Sequence, residues 1–183
     1  MPPLIIPDTN ILAPLIKRAV IEALAERGLL ALRVTPKILA EAEHTLTRLS
    51  EETARRGRED LARWRKVYPD WIMEPAPQAE TNLPDPDDQH IMDAAITAGA
   101  QTIVTENLRD FPAKQLSPLG LRAVSTDRFL SERMASHPDE TRAALLSLPQ
   151  RVKADFLTPE TLLPVLRRAG LKRVVKQMAA DHA

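Results

Sequence analysis

Short apolar runs alternate with amphipathic helices along the first two thirds of the chain, and this alternation constrains the fold more than any other feature. Leu4-Ile5-Ile6, Leu29 to Val34 and Thr102-Ile103-Val104 read as buried strands, and Leu121 to Val124 as an edge strand. Between them, Ile11, Leu12, Leu15, Ile16, Val20 and Leu24 recur at helical spacing, as do Ile38, Ala42, Thr45 and Leu49, and then Ile91, Ala94, Ala95 and Ala98. Strand–helix alternation of this kind predicts an α/β fold with a central parallel sheet, covered on both faces through right-handed crossovers. Gly28 and Gly99 close helices, Thr35-Pro36 opens one, and Asp88 stands at the N-cap of the helix over 89–98. A short strand also fits Trp71-Ile72-Met73, inside a connector punctuated by Pro69, Pro75, Pro77, Pro84 and Pro86. The segment from Arg48 to Lys66, with seven basic and four acidic residues around Leu61 and Trp64, reads as a solvated helical excursion.

Beyond Thr126-Asp127, which starts a helix, the alternation stops and only short helices follow, with starts at Pro138-Asp139 and Thr158-Pro159 and a break at Gly170. The expected organisation is a main domain over residues 1–125 and a small helical C-terminal appendage over 126–183. A chain of 183 residues with 44% hydrophobic content can bury a core of that size.

A parallel sheet gathers the carboxyl ends of its strands on one edge, and ligands of such sheets bind there. Asp8 follows the first strand, Glu41 lies on the helix after the second, Asp88 starts a helix, and Thr105, Asn107 and Asp110 follow a later strand. From Val67 to Ala100 there is no Lys or Arg, whereas Asp70, Glu74, Glu80, Asp85, Asp87, Asp88 and Asp93 all fall inside. Two carboxylates ~5 Å apart repel by roughly 3 kcal/mol at an effective dielectric near 20, so several together call for a cation. Oxygen donors, with no Cys in the chain and no His pair at helical spacing, select a hard ion, Mg²⁺ or Mn²⁺.

Other classes are narrowed by composition. The 25 basic and 25 acidic residues cancel, which excludes a globally basic nucleic-acid binder, and 3% aromatic content disfavours a base-stacking surface. The absence of Cys excludes a disulfide scaffold, no apolar run is long enough to span a membrane, and MPPLIIPDTN lacks the basic start of a signal peptide; a cytoplasmic protein is expected. A haloacid-dehalogenase-like phosphatase would need a second Asp two residues after the first, where Asn10 stands.

The segments IIPDTNIL, TPKILAEAE and PDPDDQHIMDAAITAGAQTIVTENLRDFP resemble a PIN-domain ribonuclease of the VapC-type toxin branch, and together they cover most of residues 1–125. The resemblance implies a PIN-like three-layer α/β/α sandwich in which acidic residues hold one or two divalent ions and direct water against an RNA phosphodiester. Asp8, Glu41 and Asp88 match the first three acids of the family, and Asp110 is expected to compensate for Asn107, which stands where many relatives carry Asp. Asp8, Asp88, Asp93 and Asn107 are the candidate metal ligands, with Thr105 and Asn10 supporting them, and His44 and His90 are expected at the surface or in loops. Implied partners are an RNA substrate, a small cognate antitoxin that covers the acidic pocket, and a second copy in a homodimer. Residues 151–183 hold seven basic and three acidic side chains, and Arg167, Arg168, Lys172, Arg173 and Lys176 are candidate phosphate contacts. The competing reading is a non-catalytic RNA-binding or partner-binding module on the same fold.

Overall fold

The structure, a computed structural model, describes residues 1–74, 82–152 and 154–180. Pro75, Pro77 and Glu80 of the connector lie outside the described residues. The chain runs β1 (Leu4–Pro7), α1 (Thr9–Leu12), α2 (Leu15–Glu26), β2 (Ala31–Leu32), α3 (Pro36–Leu46), α4 (Glu51–Val67), α5 (Gln89–Ala98), β3 (Thr102–Val104), α6 (Ala113–Leu116) and β4 (Arg122–Val124). Helices α7 (Thr126–Ser136), α8 (Pro138–Leu146), α9 (Leu148–Val152), α10 (Leu162–Arg168) and α11 (Lys172–Ala180) follow.

The four strands are all parallel in the order β2-β1-β3-β4, with Ile5 opposite Leu32 and Thr102, and Val104 opposite Val124. Ile5, Ile6, Ile103 and Val104 are fully buried, as strands covered on both faces must be. The chain leaves β1 towards β2 and later returns on the other side of β1 to form β3 and β4. Right-handed crossovers therefore put α2 and α5 on opposite faces, giving a three-layer α/β/α sandwich. The order reverses between β1 and β3, and the crevice at their carboxyl ends is where such a sheet binds ligands.

Local chemistry accounts for the element ends. Thr35 accepts from the Ile38 amide ahead of Pro36, and Gly99, at φ 65°, takes the left-handed conformation that closes α5. The predicted strand over 29–34 contracts to Ala31–Leu32, with Val34 making a separate parallel bridge to Ile72, within the Trp71-Ile72-Met73 segment. The helix carrying Glu41 ends at Leu46, so Leu46 fills the core while Thr45 and Leu49, expected on its buried face, are exposed. Helix α4 is the solvated excursion: Ala54, Leu61 and Trp64 are buried, and Arg55, Arg56, Arg63 and Arg65 pair with Glu52, Glu59, Asp60 and Glu43.

The C-terminal helices share one hydrophobic cluster with the sheet, extending from Ile5 and Val104 through Phe129 and Leu145 to Leu166, Val174 and Met178. Arg151 pairs with Glu22 and Glu26 of α2, at 3.5 and 2.6 Å. The Asp127 carboxylate accepts from the first amides of α11, Arg173 and Val174, at 3.0 and 3.2 Å. No helix among the described residues is long and apolar enough to cross a membrane.

Candidate metal centre

The carboxyl end of β1 delivers Asp8, whose amide continues the sheet ladder by donating to the Val104 carbonyl at 2.9 Å. The Asp8 side chain is buried, and its Oδ2 accepts from Thr105 Oγ1 at 2.6 Å and from Asn10 Nδ2 at 2.5 Å. Asn10 also donates to Thr105 Oγ1, and its Oδ1 accepts from the Glu106 amide, so one small network stitches the ends of β1 and β3 together. Burial pushes the Asp8 carboxyl above its usual range, against the opposing pull of the Thr105 hydroxyl and the Thr9 and Asn10 amides.

Across the crevice, Asp85, Asp88 and Asp110 each place a carboxylate oxygen within 4.8 Å of the other two, close enough to share one ion. Asp88 ends a 3-10 turn over Pro86–Asp88 and leads directly into α5, but its carboxylate makes no capping bond, contrary to the N-cap role expected for it. The side chain is thereby left to the cluster. Burial first, and then Asp8, Asp85, Asp110 and Glu41, push the Asp88 carboxyl up to about 7. A carboxylic acid that resists ionisation this strongly near neutral pH marks uncompensated negative charge. An oxygen-only donor set of this kind fits a hard divalent ion and no thiolate-preferring metal.

Glu41 reaches the same crevice from α3, where its Oε2 accepts from Thr9 Oγ1 at 3.2 Å. His90 is part of this site rather than the surface or loop residue the sequence suggests. Its Nδ1 lies 2.7 Å from the Asp87 carbonyl and its Nε2 3.0 Å from Glu41 Oε2, the latter at ion-pair distance but off the alignment of a good hydrogen bond. His44, by contrast, is exposed on α3.

The other candidate ligands are held differently. Asp93 is buried, and its Oδ1 accepts from Gln89 at 2.7 Å; it is not one of the three grouped carboxylates. The Asn107 amide donates to Asp110, while its carbonyl accepts from Arg109 Nε at 3.1 Å. Asn107 thus orients Asp110 and turns its own oxygen to Arg109. Asp85, not singled out individually from the sequence, belongs to the cluster; its place in the same Pro-punctuated acidic loop was the available signal. Beyond the acids, Lys17 pairs with Glu106 at 2.9 Å and Thr126 donates to the same oxygen at 2.7 Å. Burial opposes ionisation of Glu106, but these two donors outweigh it and hold its carboxyl below the usual range.

An open groove of about 590 Å³ runs from the acids along α3 and is bounded by Thr9, Lys37, Glu41, His44, Asp87 and Asp88. Arg167 and Arg168 are exposed on α10, and Lys172, Arg173 and Lys176 on α11. They form no part of the acid cluster. The hydrogen bonds from the start of α11 to Asp127 nevertheless anchor Lys172 and Arg173 beside the helix that follows the carboxyl end of β4.

Residues 5–109 match the family model described as PIN domain. A Mycobacterium tuberculosis (strain ATCC 25618 / H37Rv) protein named "Putative ribonuclease VapC50" is 33% identical over 79 residues, which are 43% of this chain and 47% of that protein. The match thus spans about half the length of that curated relative. No solved structure matches the chain.

Proposed function

Because the chain belongs to the PIN-domain family, we propose that it is a Mg²⁺- or Mn²⁺-dependent endoribonuclease acting as the toxin of a toxin–antitoxin pair. The observation that carries this reading is the grouping of Asp85, Asp88 and Asp110 within 4.8 Å at the crevice where the sheet order reverses, with Asp8 and Glu41 close enough to add to the repulsion on Asp88. The name of the relative, a ribonuclease, supports RNA as the substrate, and the toxin role rests on the resemblance to the VapC-type branch.

Asp85, Asp88 and Asp110 would hold the ion, with Asp8 and Glu41 completing the acidic wall. When bound, a divalent ion lowers the pKa of water and stabilises charge on a leaving oxygen. Thr105 and Asn10 fix the Asp8 carboxylate, so that it meets an incoming oxygen without first reorganising. Glu41, held by Thr9 and faced by His90, would accept the proton of an attacking water. Asp93, engaged by Gln89, supports the first turn of α5 in this scheme, and Asn107 orients Asp110. The partners that follow are RNA, a small antitoxin presenting a basic side chain to the carboxylates, and a second copy of the chain in a homodimer.

Purified protein is expected to cleave RNA with Mg²⁺ or Mn²⁺ and to lose all cleavage in EDTA. Asp88→Asn is expected to abolish cleavage while leaving the circular dichroism spectrum unchanged. Cleavage by Asp88→Asn at the parent rate would overturn the reading, and metal-dependent RNA binding without cleavage by the parent protein would favour a non-catalytic module.

A further inference from the structure

Lys37, Glu41 and His44 lie at i, i+4 and i+7 on α3, and the three share one face of that helix along the open groove. Glu41 is the middle member and belongs to the acid wall. Lys37 is therefore about 6 Å along the helix axis from it, four residues at ~1.5 Å each. Lys37 is exposed and forms no ion pair or hydrogen bond among the described residues. It shares its groove with Glu41, Asp87 and Asp88, and its lack of a partner there has a cause. Glu41, the one acid within helical reach, is already faced by His90 and Thr9. A Lys placed N-terminal to a Glu at i,i+4 is also the weaker orientation for such a pair. Four of the five arginines of α4 contrast with it, since Arg55, Arg56, Arg63 and Arg65 are committed to carboxylates of α3 and α4, Arg58 being the exception.

We propose that Lys37 is a substrate-binding residue that holds the RNA phosphate neighbouring the scissile one, and that the strand runs along α3 through the groove it shares with Glu41, Asp87 and Asp88. The proposal rests on the nuclease reading and adds the direction of the substrate strand. An anionic polymer approaching an anionic crevice gains most from an unpaired ammonium just outside the acids, where it can contact the backbone without competing with the ion. The groove is open to solvent, so an extended strand can enter it from the surface. His44 lines its far side, one further turn along α3.

The experiment compares the parent protein with Lys37→Ala, Lys37→Glu and Lys37→Arg, using a labelled single-stranded RNA. Lys37→Ala is expected to raise KM about tenfold with kcat nearly unchanged, the equivalent of one charge-assisted hydrogen bond. The log–log salt slope of binding should fall by about 0.7. Lys37→Glu should be worse than Lys37→Ala, and Lys37→Arg should recover most of the affinity. Mn²⁺ affinity, followed by electron paramagnetic resonance of the free ion, should be unchanged in Lys37→Ala. A parent-like KM and salt slope in Lys37→Glu, or a KM change that tracks Mn²⁺ affinity, would overturn the proposal. Asp88→Asn is run in parallel: if that variant cuts RNA as the parent does, the reading that places cleavage at the Asp88 cluster has failed, and this is distinguished from a failure of the Lys37 contact by the parent-like KM and salt slope that only the latter gives.

Discussion

Thr105 Oγ1 donates to Asp8 Oδ2 at 2.6 Å, joining the residue after β3 to the residue after β1 across the point where the sheet order reverses. Thr105 is fully buried, and its hydroxyl also accepts from Asn10 Nδ2 and the Asn107 amide. Thr105→Val keeps the shape but removes the donor to Asp8 and the acceptor of Asn10 and of the Asn107 amide, so that the Asp8–Asn10 bond remains while the amide loses this acceptor, at a cost of about 1–3 kcal/mol. RNA cleavage should fall with it, and Thr105→Ser should restore both stability and rate. Thermal unfolding and cleavage assays on the two variants check this; a Thr105→Val protein as stable and as active as Thr105→Ser would contradict it.

Stability of the metal-free protein should fall as pH rises from 5 to 8. The Asp8 and Asp88 carboxyls are raised in the folded state, that of Asp88 to about 7, above an unfolded value of 3.8. A raised carboxyl contributes stability that is fully present below the unfolded value and lost as pH passes through the folded one. Glu26, Glu106 and Glu132 are shifted downward, and their contribution disappears only at lower pH, outside this window. Melting temperatures across pH 5–8 in EDTA should therefore decline. Asp88→Asn should flatten the decline and raise stability at pH 8, and Mn²⁺ should restore the parent there by mass action.

Asp127→Ala removes the acceptor for the Arg173 and Val174 amides. The expected destabilisation is about 1 kcal/mol, as for other helix N-terminal acceptors. Hydrogen exchange should report it first in α11 and not in the sheet. Equal deprotection of β1 and β3 would mean that the helix and the sheet open together.

Replacing Arg167, Arg168, Lys172, Arg173 and Lys176 together by Ala should weaken RNA binding in a salt-sensitive way, lowering the log–log slope by about 0.7–0.9 for each phosphate that is no longer neutralised. The cap from Asp127 uses the backbone of Arg173, so the fold should survive the change. A salt titration superimposable on that of the parent would identify these residues as a solvated face.

The parallel sheet was legible because its strands fall in apolar runs too short for helices, β-branched in β1 and β3, and the candidate site's location was legible because acids follow those runs. Side-chain direction was not. Asp88 precedes a helix and looks like its cap, yet the 3-10 turn at Pro86–Asp88 gives it helical dihedrals before α5 begins, and a capping residue needs extended ones. His90 sits one residue before the apolar face of α5, and only the packing of α3 beside α5 brings Glu41 to it. Leu49 continues the period of α3 on paper, but the helix stops three residues earlier. The expected division at residues 125 and 126 rests on where the alternation ends, and a linear pattern carries no information on how the last helices share the core of the first.

The buried Arg18 gives the exposed helix α4 an unexpected hold on the chemistry. Its guanidinium donates to the Leu12 and Ala13 carbonyls at 2.5 and 3.2 Å, closing the single turn of α1 that carries Thr9 and Asn10, and it is backed by Asp60 of α4 at 3.5 Å. Burial pulls the Arg18 guanidinium down from its usual range, with Asp60 and Glu22 opposing. In evolutionary terms, the solvent face of α4 can drift through many charge patterns at little cost, whereas Asp60 cannot drift alone. Losing it leaves the buried Arg18 cation with the weaker pull of Glu22 beneath the turn that follows Asp8, so a substitution at Asp60 should be tolerated best when Arg18 changes with it.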